Sequence, residues 1–247
     1  MIKLIKSSFM NEQVTKDKLC EFIQWAQQLS IGTYCKKFEE MFAQWQGRKY
    51  CVFFNSGSSA NLALIQSMLN TGKLQKWDKV AFSSLTWATN PMPLIQLGLE
   101  PIPVDVELDT LNLSLELFKK TVEKHTIKAL FITHLLGWCD ASFAEIEQYC
   151  KNNDILLLED NCESMGTIFK GKKLWNYSLA STFSTYVGHH MSTIEGGMVC
   201  TDDVEFYDML IMTRAHGRDR NLSPDRQSAM RDKYQVDGFY SKYTFYT

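Results

Sequence analysis

Two adjacent histidines, His189 and His190, stand just ahead of a Glu-Gly-Gly turn in the stretch STYVGHHMSTIEGG (184–197). An imidazole titrates near neutrality and can serve as a base or an acid, so the pair could move protons. The plainer alternative is that one histidine packs and the other is solvated. Three further stretches carry residue types that could act with them. In NSGSSANL (55–62), Gly57, Ser58 and Ser59 form a turn ahead of a helix N-terminus. Small side chains there let backbone approach a ligand, and the free amides and helix dipole favour a phosphate, although the same residues also make an ordinary cap. Trp87 in SSLTWATN could stack on a flat ring or fill core. In LLLEDNCESMG (156–166), Asp160 emerges from a strongly apolar run, with Glu163 close behind. A carboxylate in such a place needs a partner, either a protonated ring nitrogen or a structural Lys or Arg.

Each of these stretches follows an apolar run of strand length, and residues at strand ends often line the active site of α/β proteins. KYCVFFNS (49–56), KVAFSS (79–84), IKALFITHLLG, DILLLEDN (154–161), LASTFSTYV and GGMVCT read as strands. Helical patterns separate most of them. SANLALIQSMLNTG is one, with Gly72 as its C-terminal cap. WATNPMPLIQLG is short or irregular because of its prolines and ends at Gly98. Ser114 caps LELFKKTVEK, and Ser142 with Glu145 has capping-box spacing ahead of IEQYCKNN. Near-continuous apolar strands alternating with helices predict an α/β fold, a mainly parallel sheet covered by helices on both faces. From about residue 218 the pattern changes to polar and aromatic by turns and stops in mid-pattern, as in a chain that has been cut.

The bulk properties narrow the function classes. The 247 residues are 45% hydrophobic and 22% charged, with 26 Lys plus Arg against 28 Asp plus Glu. That balance offers no basic field for a nucleic acid or an anionic membrane. The opening MIKLIKSSFMNEQV has no apolar core of signal-peptide length, and no later run approaches a membrane span. The seven cysteines are scattered without CxxC pairing, which reads as reduced thiols in the cytoplasm.

Taken in order, Gly-Ser-Ser, an aromatic, Glu-Asp-Asn, a serine and Glu-Gly-Gly, the chain resembles the sugar aminotransferases of the DegT/DnrJ/EryC/StrS family. The resemblance covers nearly the whole chain, through TDDVEFYDMLIMTRAHGRDR. It implies a pyridoxal-phosphate enzyme of fold type I, acting on nucleotide-linked keto sugars as a homodimer with composite active sites. It further implies a large cofactor-binding domain over 1–217, with 218–247 beginning the connection to a smaller C-terminal domain that this chain lacks. Carried over, Gly57, Ser58 and Ser59 form the phosphate turn, and Ser184 also binds phosphate. Trp87 stacks on the pyridine, Asp160 keeps its nitrogen protonated, and Glu163 lines the same site. No metal ligand is implied.

One position departs from the aminotransferases. Six residues before the Glu of Glu-Gly-Gly they carry the lysine that bonds covalently to the cofactor, and here that position is His189. No lysine lies between Lys173 and that turn. The exchange resembles the family's branch of 3-dehydratases, which act in 3,6-dideoxysugar and lipopolysaccharide O-antigen biosynthesis. For that branch it implies conversion of pyridoxal to pyridoxamine phosphate by an amino donor, glutamate. The amine joins the C4 ketone of a nucleotide-linked 4-keto-6-deoxy sugar, His189 acts as base, and the C3 hydroxyl leaves. One sub-branch also holds an iron–sulfur cluster on four cysteines. Cys162 matches the first, but Arg220, Leu222 and Met230 occupy the other offsets, so the resemblance is to the iron–sulfur-independent kind. Two other readings stay open, an aminotransferase of the same family and a truncated, non-catalytic homologue.

Overall fold

The computed structural model describes residues 8–174 and 176–237. Two helices, α1 (Glu12–Trp25) and α2 (Thr33–Gln46), precede the first strand. Strands and helices then alternate through β1 (Tyr50–Phe54), α3 (Gly57–Asn70), β2 (Lys79–Ser83), α4 (Pro91–Gln96) and β3 (Glu100–Val104). They continue as α5 (Leu115–Val122), β4 (Ile127–Thr133), α6 (Phe143–Asn152) and β5 (Leu156–Asp160). A small hairpin, β6 (Ile168–Phe169) and β7 (Lys172–Lys173), leads to β8 (Ala180–Ser184), β9 (Gly197–Thr201), α7 (Val204–Arg214) and α8 (Pro224–Tyr234). No helix among the described residues is long and apolar enough to cross a membrane.

Seven strands form one sheet in the order β1-β9-β8-β5-β4-β2-β3. Strand β9 runs antiparallel to β1 and β8, and the other neighbouring pairs are parallel. The mainly parallel sheet expected from the apolar runs is therefore present, with one reversed strand. The reversal comes from the connection between β8 and β9. It is a hairpin-like return closed by backbone bonds from Thr185 to Gly196 and between Thr193 and Thr185, whereas parallel neighbours must be joined by crossovers.

Successive residues of a strand face opposite sides, and both sides of this sheet are covered. Ala129, Phe131 and Leu158 point into a core shared with α3 and α7, including Leu64, Met68 and Met209. Leu130, Ile132 and Leu157 point into a second core with Phe42, Phe118 and Phe143 from α2, α5 and α6. That double burial is why the strands read as unbroken apolar runs. Every side chain of α1 stays at least partly exposed.

Local signals hold in part. Ser114 Oγ accepts the N–H of Leu117 and caps α5. Gly72 and Gly98 follow their helices at positive φ. Helix α3 starts earlier than the pattern indicates, at Gly57, because Ser56 caps it by accepting the N–H of Ser59 at 3.0 Å. The capping box at Ser142 does not form. Its hydroxyl accepts the N–H of Leu115 at 3.0 Å and donates to Asp140 instead, a tertiary use the spacing cannot reveal. Beyond α7, Leu222 and Met230 are buried in the first core, and Arg231 pairs with the buried Asp219 at 2.7 Å. Of the 218–247 stretch, residues 238–247 lie outside the described residues.

Candidate active site

The carboxyl ends of the parallel strands converge on one cavity of about 590 Å³. Gly57 and Ser58 line it from the start of α3, Trp87 from the loop after β2, and Asp160 and Glu163 from the end of β5. Ser184 and His189 line it from β8 and the hairpin beyond. Seven of the eight residues that the resemblance assigns to the site thus share one cavity. Ser59 lies off it, in a groove with Leu62 and Met92, its N–H taken by the Ser56 cap. His190 is exposed.

The glycines explain how the walls meet. A Cβ on Gly57 would stand 2.8 Å from Ser184 Cβ and 3.1 Å from Cys162 Sγ. On Gly197 it would lie 2.3 Å from the Ser56 carbonyl oxygen and 2.5 Å from the Gly57 nitrogen. The start of β9 therefore passes directly under the turn that opens α3, which only a residue without a Cβ allows. This gives the second glycine of the Glu-Gly-Gly turn its physical role. Gly57 and Ser58, the first residues of the 14-residue helix α3, line the cavity, and an anion is favoured at such a helix start.

Asp160 sits at the cavity floor, buried, with three donors aimed at it. Its Oδ2 accepts from Asn61 Nδ2 and Asn90 Nδ2, both at 2.9 Å, and its Oδ1 accepts from the Cys162 N–H at 2.9 Å. None of these is a Lys or Arg, so among the described residues Asp160 has no structural ion pair. The Cys162 thiol also faces this carboxylate, so all the donors around it are neutral and its negative charge has no cationic partner among the described residues. Trp87 is 75% exposed, so it is not core. Glu163 Oε2 accepts the N–H of Leu136 at 3.0 Å and pins the turn after β4, where Leu136 takes a left-handed φ of 55°.

His189 stands in the return between β8 and β9. Its N–H donates to the Tyr186 carbonyl at 2.9 Å, its ring meets that of Tyr186 edge-on, and Nδ1 contacts the Cys162 carbonyl oxygen. Burial, reinforced by the Asp160 carboxylate, pushes the Cys162 thiol well above its ordinary range, so it sits in the wall as a neutral group. Sequence reading missed Asn61, Asn90 and Tyr186. The first had a usable signal, a buried asparagine on the apolar face of a helix; the other two had none.

A helix start, a carboxylate without a cationic partner, an exposed aromatic face and an imidazole around one cavity suit a flat, phosphorylated, nitrogen-containing ring. The chain is 43% identical over 195 residues to GDP-4-keto-6-deoxy-D-mannose 3-dehydratase of Escherichia coli O55:H7, covering 78% of this chain and 50% of that protein. It is 41% identical over 195 residues to the protein of the same name from Yersinia pseudotuberculosis, covering 78% and 49%. The chain spans about half the length of the curated relatives it matches. A crystal structure of GDP-4-keto-6-deoxymannose 3-dehydratase with a trapped PLP–glutamate geminal diamine superposes with a TM-score of 0.84 at 36% identity, covering 90% of this chain and 57% of that one. The fold is accordingly that of the fold type I pyridoxal-phosphate enzymes. A family profile matches residues 11–239, nearly the whole described chain, and the protein belongs to the DegT/DnrJ/EryC1/StrS aminotransferase family.

Proposed function

We propose that this protein removes the C3 hydroxyl of a GDP-linked 4-keto-6-deoxyhexose, using pyridoxal and pyridoxamine phosphate held in the cavity at the strand ends. The observation that carries the reading is the imidazole of His189 on the cavity wall, where the family's aminotransferases have an amine. A lysine amine condenses with an aldehyde, whereas an imidazole has no primary amine to do so and is left to exchange protons. The names of the relatives at 43% and 41% identity supply the sugar class and its nucleotide.

The residues present fit the cofactor. The Asp160 carboxylate, whose donors are all neutral, would take the protonated pyridine nitrogen, and the exposed face of Trp87 would cover the ring. The α3 amides at Gly57 and Ser58, with the Ser184 hydroxyl, would take the phosphate. Bound there, the cofactor would supply an electron sink for deprotonation beside its ring. His189 takes that proton and can return one to the departing C3 oxygen. Glu163 keeps the 135–137 turn in place at the rim, and Cys162 stays protonated and chemically passive. The same reading includes glutamate as amino donor, catalysis without an iron–sulfur cluster, a homodimer with composite sites, a cytoplasmic setting and a small domain following the 218–247 segment.

The test is product analysis. Protein with pyridoxal phosphate, glutamate and GDP-4-keto-6-deoxymannose should release ammonia and yield the 4-keto-3,6-dideoxy sugar by mass spectrometry. A product that keeps the C3 oxygen and gains an amino group would assign an aminotransferase instead. Cofactor uptake without either product would favour a non-catalytic homologue.

A further inference from the structure

We infer that Cys162 is a positioning residue that fixes the tautomer of His189, so that the base nitrogen is Nε2. A neutral imidazole has one N–H and one lone pair, and its partners decide which nitrogen carries which. His189 Nδ1 lies against the backbone carbonyl oxygen of Cys162. A carbonyl can only accept, so the contact is a hydrogen bond only when Nδ1 carries the hydrogen. The Nε2–H form would set two lone pairs face to face. The arrangement selects the Nδ1–H form, opposite to the tautomer that an unrestrained histidine side chain favours in water.

The carbonyl that makes this choice is itself held. The N–H of the same residue donates to Asp160 Oδ1 at 2.9 Å. The N–H of the preceding Asn161 donates to the Thr182 carbonyl at 2.9 Å, in the neighbouring strand β8. Beyond it, Ser164 closes the turn on Asn161 through both its N–H and its hydroxyl. On the histidine side, the N–H bond to Tyr186 fixes the backbone and the edge-on Tyr186 ring limits the imidazole's rotation. One residue thus ties the carboxylate at the cavity floor to the imidazole on its wall, and a shift of either group is felt by the other. The neighbouring His190 is exposed, and no hydrogen bond among the described residues selects a tautomer for its ring.

The use made of Nε2 rests on the dehydratase reading, but the tautomer itself does not. The protein is labelled with ¹⁵N-histidine and observed by NMR without cofactor, about two pH units above the ordinary imidazole midpoint near 6.5. Substitution of His189→Gln assigns its signals. The expected spectrum has a pyrrole-type signal at Nδ1 and a pyridine-type signal at Nε2; the reverse pattern, or fast averaging between the two, would overturn the inference. Cys162→Ser retains both backbone groups and should leave the pattern unchanged. Cys162→Pro deletes the N–H bonded to Asp160 along with the thiol, whose loss the serine variant controls for, and should admit the Nε2–H form as a second signal. A single unchanged Nδ1–H signal in a folded proline variant would refute the tie to Asp160, and the spectrum of the unsubstituted protein decides the tautomer even if that variant does not fold. Dehydration with the reversed tautomer would sink this inference alone, whereas the expected tautomer with an amino-sugar product would sink only the functional reading.

Discussion

Replacing Asp160 by asparagine exchanges one oxygen for an NH₂ group at constant shape, and the hydrogen bonds around it set the cost. The new amide can point its nitrogen in two ways. At the present Oδ2 position it would confront two donors, Asn61 Nδ2 and Asn90 Nδ2. Relief would require both side amides to turn over. Asn61 would then lose the Thr89 carbonyl, to which it donates at 3.1 Å, and Asn90 would lose the Thr86 hydroxyl, which donates to its Oδ1 at 2.8 Å. At the Oδ1 position the nitrogen confronts only the N–H of Cys162. The second orientation is cheaper and leaves one backbone donor without its acceptor, a loss of about 1–3 kcal/mol for a buried group. In a chain of this size that lowers Tm by roughly 2–12 °C, at about 2–4 °C per kcal/mol. Calorimetry of the cofactor-free variant gives the value directly. A variant melting within about 1 °C of the parent would show that the three donors do not hold Asp160 as described. The functional half is separate: with the ring nitrogen no longer held protonated, dehydration should fall by orders of magnitude, and near-normal turnover would make Asp160 a purely structural acid.

Further outcomes follow from the same geometry. Gly197→Ala places a Cβ 2.3 Å from the Ser56 carbonyl oxygen, which is backbone and cannot swing aside. It should cost at least about 1–3 kcal/mol, the usual range for overpacking, and loosen the start of α3, read as a lower urea midpoint; an unchanged midpoint would mean that β9 does not pass beneath that turn. Borohydride treatment of the protein with pyridoxal phosphate should leave the peptide holding His189 unmodified, whereas His189→Lys should give a reduced cofactor adduct there and lose dehydration. An adduct on another lysine of the unsubstituted protein would overturn the site. Burial, with Glu147 nearby, raises the Cys150 thiol to about 12. Its thiolate, and hence its alkylation, is therefore suppressed at pH 8 and should grow only as the pH climbs toward that value, while the exposed Cys20 labels readily. Equal labelling of the two at pH 8 in the folded protein would contradict the described packing.

The sequence determined the elements and their order. Apolar runs of strand length can satisfy both faces of a sheet only when helices cover them, which makes an α/β layer structure the natural outcome. The turn chemistry at Ser56–Ser59, the acid at the end of the β5 run, the tryptophan after β2 and the histidine ahead of Glu-Gly-Gly were all legible, because residue type and place along a strand carry that information. Only the tertiary structure decided how they work together. Strand order put β5 beside β8, so that Asp160, Ser184 and the His189 hairpin meet, although dozens of residues separate α3 from them. The reversal of β9, the approach that demands Gly197, and the amides of Asn61 and Asn90 on Asp160 Oδ2 depend on contacts between distant segments. The Ser142 hydroxyl, drawn to Leu115 and Asp140 and away from its own helix, is the same lesson in small. A hydrogen-bonding group takes whichever partner the packed chain brings nearest, and spacing along the sequence records only the local candidates.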